Sequence, residues 1–156
     1  MNKLMDQLLA EYSTLYDYVY RYVRVRVSNE DVCRDLVADI FLKAVEKIQY
    51  FDASKGSLRQ WITGITKHHL LNHWKREKHT FALEDFDLPI MPKFDQLEFD
   101  QLIDHLPQHI QQLLTWRYVD DLTYEQIADV TGRTPAALRK YFSRLYKKLR
   151  NEYEAY

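Results

Sequence analysis

Three glycines, four prolines and one cysteine are all that this 156-residue chain carries of those types. The single Cys33 closes no internal disulfide and supplies no CxxC pair, which excludes a disulfide scaffold and a structural zinc finger. Long hydrophobic runs are lacking too. None exceeds three residues, whereas a spanning helix needs about 20 apolar residues and a secretory leader an apolar core of about 7 to 15. A soluble, cytoplasmic protein without membrane insertion is therefore expected. No glycine-rich phosphate loop occurs and no nucleophile is patterned with a base, so neither an enzyme nor a cofactor is expected. Nor is one sign of charge in excess: the formal net charge is −1. Neutrality disfavours a nucleic-acid partner, because phosphate binding is driven by Lys and Arg displacing counterions. Whole-chain charge is an average, however, and averages hide segregation.

Scarce helix breakers together with abundant Leu, Tyr, Gln, Lys and Glu point to an all-α chain. Leu4, Leu8, Tyr12, Leu15, Val19 and Tyr22 recur at three- and four-residue steps, predicting one helix over about residues 2–26. Val32, Leu36, Ile40, Ala44 and Ile48 repeat the spacing after Ser28-Asn29-Glu30-Asp31, an N-cap cluster with acids in the first turn, where the helix dipole favours them. Residues 51–57 form a loop. Ser57 and Gln60 make a capping-box pair, and Leu58, Trp61, Ile62, Ile65 and Leu70 begin a helix reaching about Lys78. Gly64 falls inside it, a position suited to close packing or bending. Further on, Asp95 to Glu98 cap a short helix, Pro107 suits the first helical position of the next, Thr123 and Gln126 form a second capping box, and Thr134-Pro135 starts the last helix.

Charge is distributed very unevenly along these elements. From Arg59 to His79 five bases face one acid, a net of +4; from Thr80 to His105 seven acids face one lysine, −6; from Arg133 to Asn151 seven bases face no acid, +7. The last block lies on the second of two short helices joined by a turn at Gly132. This is a helix-turn-helix pattern, whose second helix can lie in the DNA major groove. Arg139, Lys140, Ser143 and Arg144, opposite Leu138 and Phe142, are best placed to reach base edges or phosphates, while Tyr141 and Tyr146 suit packing. A solvated basic helix would show the same charge run alone; the coincidence with the helix-turn-helix favours DNA. Arg59, Lys67, Lys75, Arg76 and Lys78, with His68, His69, His73 and His79 interspersed, lie next to Trp74 and just after the 51–57 loop and suit single-stranded DNA, although a surface helix near the end of a small domain has similar composition. His69 and His73 share a helical face, but no acid or thiolate nearby completes a metal site.

Asp35-Leu-Val-Ala-Asp-Ile-Phe-Leu-Lys-Ala-Val45, Phe51, Gly56, Ser57-Leu-Arg-Gln-Trp61 and Ile65 resemble region 2 of the extracytoplasmic-function group of sigma-70-type sigma factors. Leu106-Pro107, Arg117-Tyr118, Leu122-Thr-Tyr-Glu-Gln-Ile-Ala128 and Gly132 to Arg144 resemble region 4 of the same family. The resemblance implies two small helical domains, residues 1–79 and 96–156, joined by an acidic linker over 80–95. It implies a face with Asp35, Leu36, Asp39, Ile40, Phe41 and Lys43 docking on the clamp helices of the largest subunit of core RNA polymerase, the flap of the second subunit as a further contact, and an anti-sigma partner. Phe51, Ser54, Lys55, Ser57, His68, His69, Asn72, Lys75 and Arg76 would read the non-template strand of the minus-ten element, with one base flipped out. Arg133, Thr134, Arg139, Lys140, Ser143, Arg144 and Lys147 would read the minus-thirty-five element as duplex. Ala38 and Ile40 stand where the family commonly has Gln and Thr, His68 where many members have Asn, Thr131 where a Leu is usual and Ala137 where a Thr is usual. The base preference at minus ten is accordingly not carried over. The alternatives are a helix-turn-helix regulator that never engages polymerase, for which the Asp35 to Val45 segment has no use, and a metal-dependent nuclease built on the histidines.

Overall fold

The structure is a computed structural model and describes residues 2–77 and 99–154. The acidic segment expected as a linker over 80–95, and the cap expected at Asp95 to Glu98, lie outside the described residues. Every element among the described residues is helical: α1 (Lys3–Ala10), α2 (Tyr12–Arg24), α3 (Glu30–Lys47), α4 (Leu58–Glu77), α5 (Phe99–Asp104), α6 (Gln108–Leu114), α7 (Tyr124–Thr131) and α8 (Pro135–Glu154), with 3-10 turns at Ile48–Tyr50 and Ala53–Lys55 and a π turn at Thr115–Val119. The chain divides into two compact units, Met1–His73 and Trp74–Tyr156.

In the first unit α2 packs along α3 and α1 lies on the Ile48–Tyr50 turn. The single helix expected over 2–26 is divided at Glu11, whose ψ of 2° departs from the helical region, although Glu11 N–H still donates to the Gln7 carbonyl at 3.1 Å. Leu8 and Ile48 are both buried where α1 meets the Ile48–Tyr50 turn. Asn29 caps α3 by accepting the Val32 N–H at 3.1 Å, and Glu30 and Asp31 occupy its first turn. Leu15, Val19 and Val23 of α2, Cys33, Leu36, Val37, Ile40 and Ala44 of α3, and Leu58, Ile62 and Leu70 of α4 are all buried in this unit. Each Val, Leu or Ile side chain among them contributes roughly 1.5 to 3 kcal/mol. Cys33 is a buried filler here, and desolvation raises its thiol pKa. Gly64 is not a close-packing point: a side-chain β-carbon there would meet open space, and α4 continues through it.

In the second unit Leu106, Ile110, Leu113, Leu114, Trp116 and Leu122 join Ile127, Ala128, Leu138, Phe142, Leu145 and Leu149 in one core. Trp74, at the end of α4, packs its ring 5.5 Å from that of Trp116. Pro107 does not take the first helical position. Its extended ψ of 144° makes it the N-cap, and α6 starts one residue later, with the Pro107 carbonyl accepting from Ile110 and Gln111. Thr123 and Gln126 form the expected capping box at α7. Gly132 ends that helix at φ 73°, the left-handed region open to glycine at little cost. Thr131 is buried: its hydroxyl donates to the Ile127 carbonyl at 2.9 Å and accepts the Arg133 N–H at 3.3 Å. Thr134 caps α8 through the Ala137 N–H at 3.1 Å.

Candidate nucleic-acid interface

The loop between α3 and α4 is a chain of small local decisions. The Asp52 carboxylate accepts both the hydroxyl of Ser54, at 2.7 Å, and its N–H, at 3.0 Å, and these two bonds hold the Asp52 carboxyl below its ordinary value. Gly56 follows at φ 153°, with the Gln60 carboxamide so close that a Cβ there would meet Oε1 at 2.6 Å. Gln60 needs that place because its Oε1 accepts the Ser57 N–H at 2.9 Å while the Ser57 hydroxyl accepts the Gln60 N–H at 3.1 Å. Phe51 turns inward and meets the Trp61 ring at 5.6 Å.

The result is a cavity of about 210 Å³ lined by Tyr50, Phe51, Asp52, Lys55, Gly56, Ser57, Gln60 and Trp61. Of the residues expected to read the minus-ten strand, it gathers Phe51, Lys55 and Ser57, with Ser54 exposed next to it. His68, His69, Asn72, Lys75 and Arg76 do not join them. At about 1.5 Å per residue they lie roughly 10 to 22 Å beyond Trp61 along α4. His68 Nε2 is 3.2 Å from Asn72 Nδ2 and His69 Nδ1 is 3.0 Å from the Ile65 carbonyl. Lys75 Nζ sits 3.7 Å from Asp129, so its charge is already engaged, and Arg76 is exposed. Tyr50, Asp52, Gln60 and Trp61 were not expected in the site. The capping box was a signal for Gln60; the others depend on how the loop folds back.

On α3 the structure overturns three expected docking residues. Leu36, Ile40 and Phe41 are 5%, 0% and 6% exposed. They share the stripe that faces α2, and Phe41 packs its ring 5.1 Å from Tyr12. Asp35, Asp39 and Lys43 are exposed as expected, Lys43 pairing with Glu46 at 3.3 Å. Between them lie Ala38, Leu42 and Val45, an outward stripe at i, i+4 and i+7 that the sequence reading missed; Leu42 is 59% and Val45 43% exposed. The available signal was three apolar residues off the inward stripe.

On α8, Leu138, Tyr141, Phe142, Leu145 and Leu149 are buried, while Arg139, Lys140, Ser143, Arg144 and Lys147 are exposed, as are Arg133 and Thr134 just before the helix. Tyr141 meets Phe142 edge-on and Tyr146 meets it at a tilt, the packing role expected. Arg139, Ser143 and Lys147 also line a groove of about 540 Å³ with Tyr124, Tyr146 and Arg150.

Residues 11–80 match the family model for sigma-70 region 2, and residues 96–149 match that for sigma-70 region 4. Among curated proteins, RNA polymerase sigma factor SigV of Bacillus subtilis is 21% identical over 84% of this chain and 80% of its own length. ECF RNA polymerase sigma factor SigM of the same organism is 19% identical over 91% of this chain and 92% of its own. RNA polymerase sigma factor YlaC, also of B. subtilis, is 26% identical over 83% and 82%. The chain belongs to the sigma-70 family of RNA polymerase sigma factors, in its extracytoplasmic-function group.

Proposed function

We propose that this sigma factor docks on core RNA polymerase through the outward face of α3, captures a melted minus-ten base in the loop cavity, and reads the minus-thirty-five element with α8. The observation that carries the reading is the order of two family regions in one chain, region 2 holding the loop cavity and region 4 the basic helix. Asp35, Asp39 and Lys43 supply charge and Ala38, Leu42 and Val45 apolar area, a mixture suited to the clamp helices of the largest subunit. The flap of the second subunit is the further polymerase contact. The cavity walls combine aromatic rings with hydrogen-bonding groups, which together offset the few kcal/mol that flipping a base costs. His68, His69, Asn72 and Arg76 track the same strand along α4. The factor performs no chemistry of its own, works in the cytoplasm and is held by an anti-sigma partner until needed.

Transcription from genomic DNA fragments by core polymerase mixed with the protein tests this. New start sites that depend on the protein are expected. Failure to co-purify with core, with DNA binding retained, would mean a helix-turn-helix regulator instead. A narrower expectation is that Asp35→Arg weakens assembly with core at least tenfold while leaving duplex binding by α8 unchanged; equal loss of both would indicate misfolding and remove the docking face from the proposal.

A further inference from the structure

On the cationic face of α8, Arg139, one of the four residues expected to reach base edges or phosphates, meets an acid from a different helix. Glu125 is the second residue of α7, set there by the Thr123–Gln126 capping box. Across the turn its Oε1 accepts from Arg139 Nη2 at 2.6 Å. The guanidinium of Arg139 also lies over the Tyr124 ring, 5.5 Å from its centroid. Tyr124 is itself held, with Arg117 at 4.7 Å over its ring and Phe142 packed 5.6 Å away. Arg139 is therefore fixed between a ring and a carboxylate on α7 while remaining exposed on the groove side.

A carboxylate beside a DNA-facing arginine is a liability if that arginine is meant for phosphate. A phosphate brought to Arg139 would bring a second anion close to Glu125. A guanine edge presents two neutral acceptors, O6 and N7, and carries no such penalty. Arginine has five N–H donors in a rigid fork, so the edge that Glu125 occupies leaves another free for a bidentate contact. Holding the fork in advance also removes part of the ordering entropy that a long side chain loses on binding.

We propose that Glu125 is a positioning residue for Arg139, aiming its free guanidinium edge at a guanine in the major groove and excluding phosphate as its partner. The inference rests on the assignment of α8 to duplex reading. Full-length protein assembled with core polymerase is used to select from a pool of duplexes randomised across the upstream element, and the bound fraction is sequenced. Wild type selects guanine at one position, and Arg139→Ala abolishes that selection. Glu125→Gln reduces the guanine preference there about tenfold, in line with a bidentate pair, leaves the other positions unchanged, and strengthens binding to unselected duplex by removing a negative charge. In the Arg139→Ala background Glu125→Gln has no further effect on base preference, and Glu125→Asp in the wild-type background restores part of it. Two results overturn the inference and are distinguishable. If Arg139→Ala leaves base preference intact, α8 does not read through Arg139. If Arg139→Ala abolishes the preference but Glu125→Gln changes all sequences alike, the pair is only a surface ion pair, of the kind that contributes little.

Discussion

At the scale of single residues, two glycines show how different physics reaches the same requirement. Gly132 has open space around its α-carbon but a φ of 73°, so Gly132→Ala should cost about 1 to 2 kcal/mol through backbone strain alone, seen as a lowered thermal midpoint with the α7–α8 turn otherwise intact. Gly56 combines φ 153° with a clash against Gln60, so Gly56→Ala should also break the capping box, moving the Ser57 and Gln60 amide resonances by NMR; unchanged amides there would refute the close approach. Asp52 gives the pH expectation. Its carboxyl is lowered from the ordinary 3.8, first by the Ser54 hydroxyl and then by the Ser54 amide. A depressed carboxyl contributes stability above its unfolded value, lost only as pH falls through the folded one. The Asp52–Ser54 contribution should therefore be fully present at neutral pH and lost only in acid, and Ser54→Ala should raise the Asp52 midpoint in an NMR titration. These local features were legible in part: a Gly before a Ser-x-x-Gln pair marks a turn into a capped helix, and Gly132 between two short helical runs marks their turn. The ring of Trp61 against Phe51 was not, because both residues also read as ordinary core aromatics.

At the scale of elements, helix starts were readable and helix faces only partly so. Asn29, Ser57, Thr123 and Thr134 cap as their spacing indicated, because a cap and its partner lie within three residues. Leu36, Ile40 and Phe41 were misassigned to a docking surface for a related reason. A family motif marks a segment of helix, while the inward direction is set by the helix packed against it, here α2. The outward stripe of Ala38, Leu42 and Val45 emerges only once that direction is known. On α8 the inward face was clear because Leu138 and Phe142 lie four residues apart, and the exposed cations followed. Two of them should behave differently. Arg139→Ala should relax preference at one or two upstream positions, whereas Lys147→Ala should weaken all duplexes alike and reduce the salt slope by about 0.9. Titrations at several salt concentrations against matched and mismatched duplexes separate the two; identical slopes and uniform losses for both would refute the distinction.

At the scale of the whole molecule, the near-neutral net charge conceals blocks of +4, −6 and +7 in chain order. The acidic block lies in sequence between two DNA-suited ones, and like charge repels phosphate over a Debye length of about 8 Å at physiological salt. Neutralising Glu84, Asp85 and Asp87 to their amides should therefore raise duplex binding by the polymerase-free protein, measured by fluorescence anisotropy; unchanged affinity at low salt would reject a shielding role. The sequence by itself determined the helical class, where most helices begin, and where the charge sits, because propensity, capping and periodicity act over a few residues. The tertiary structure decided which α3 residues face outward, which side chains close the loop cavity, and that Glu125 meets Arg139 from fourteen residues away. Those facts depend on which surfaces pack together, and packing is a relation between distant segments that no local pattern contains.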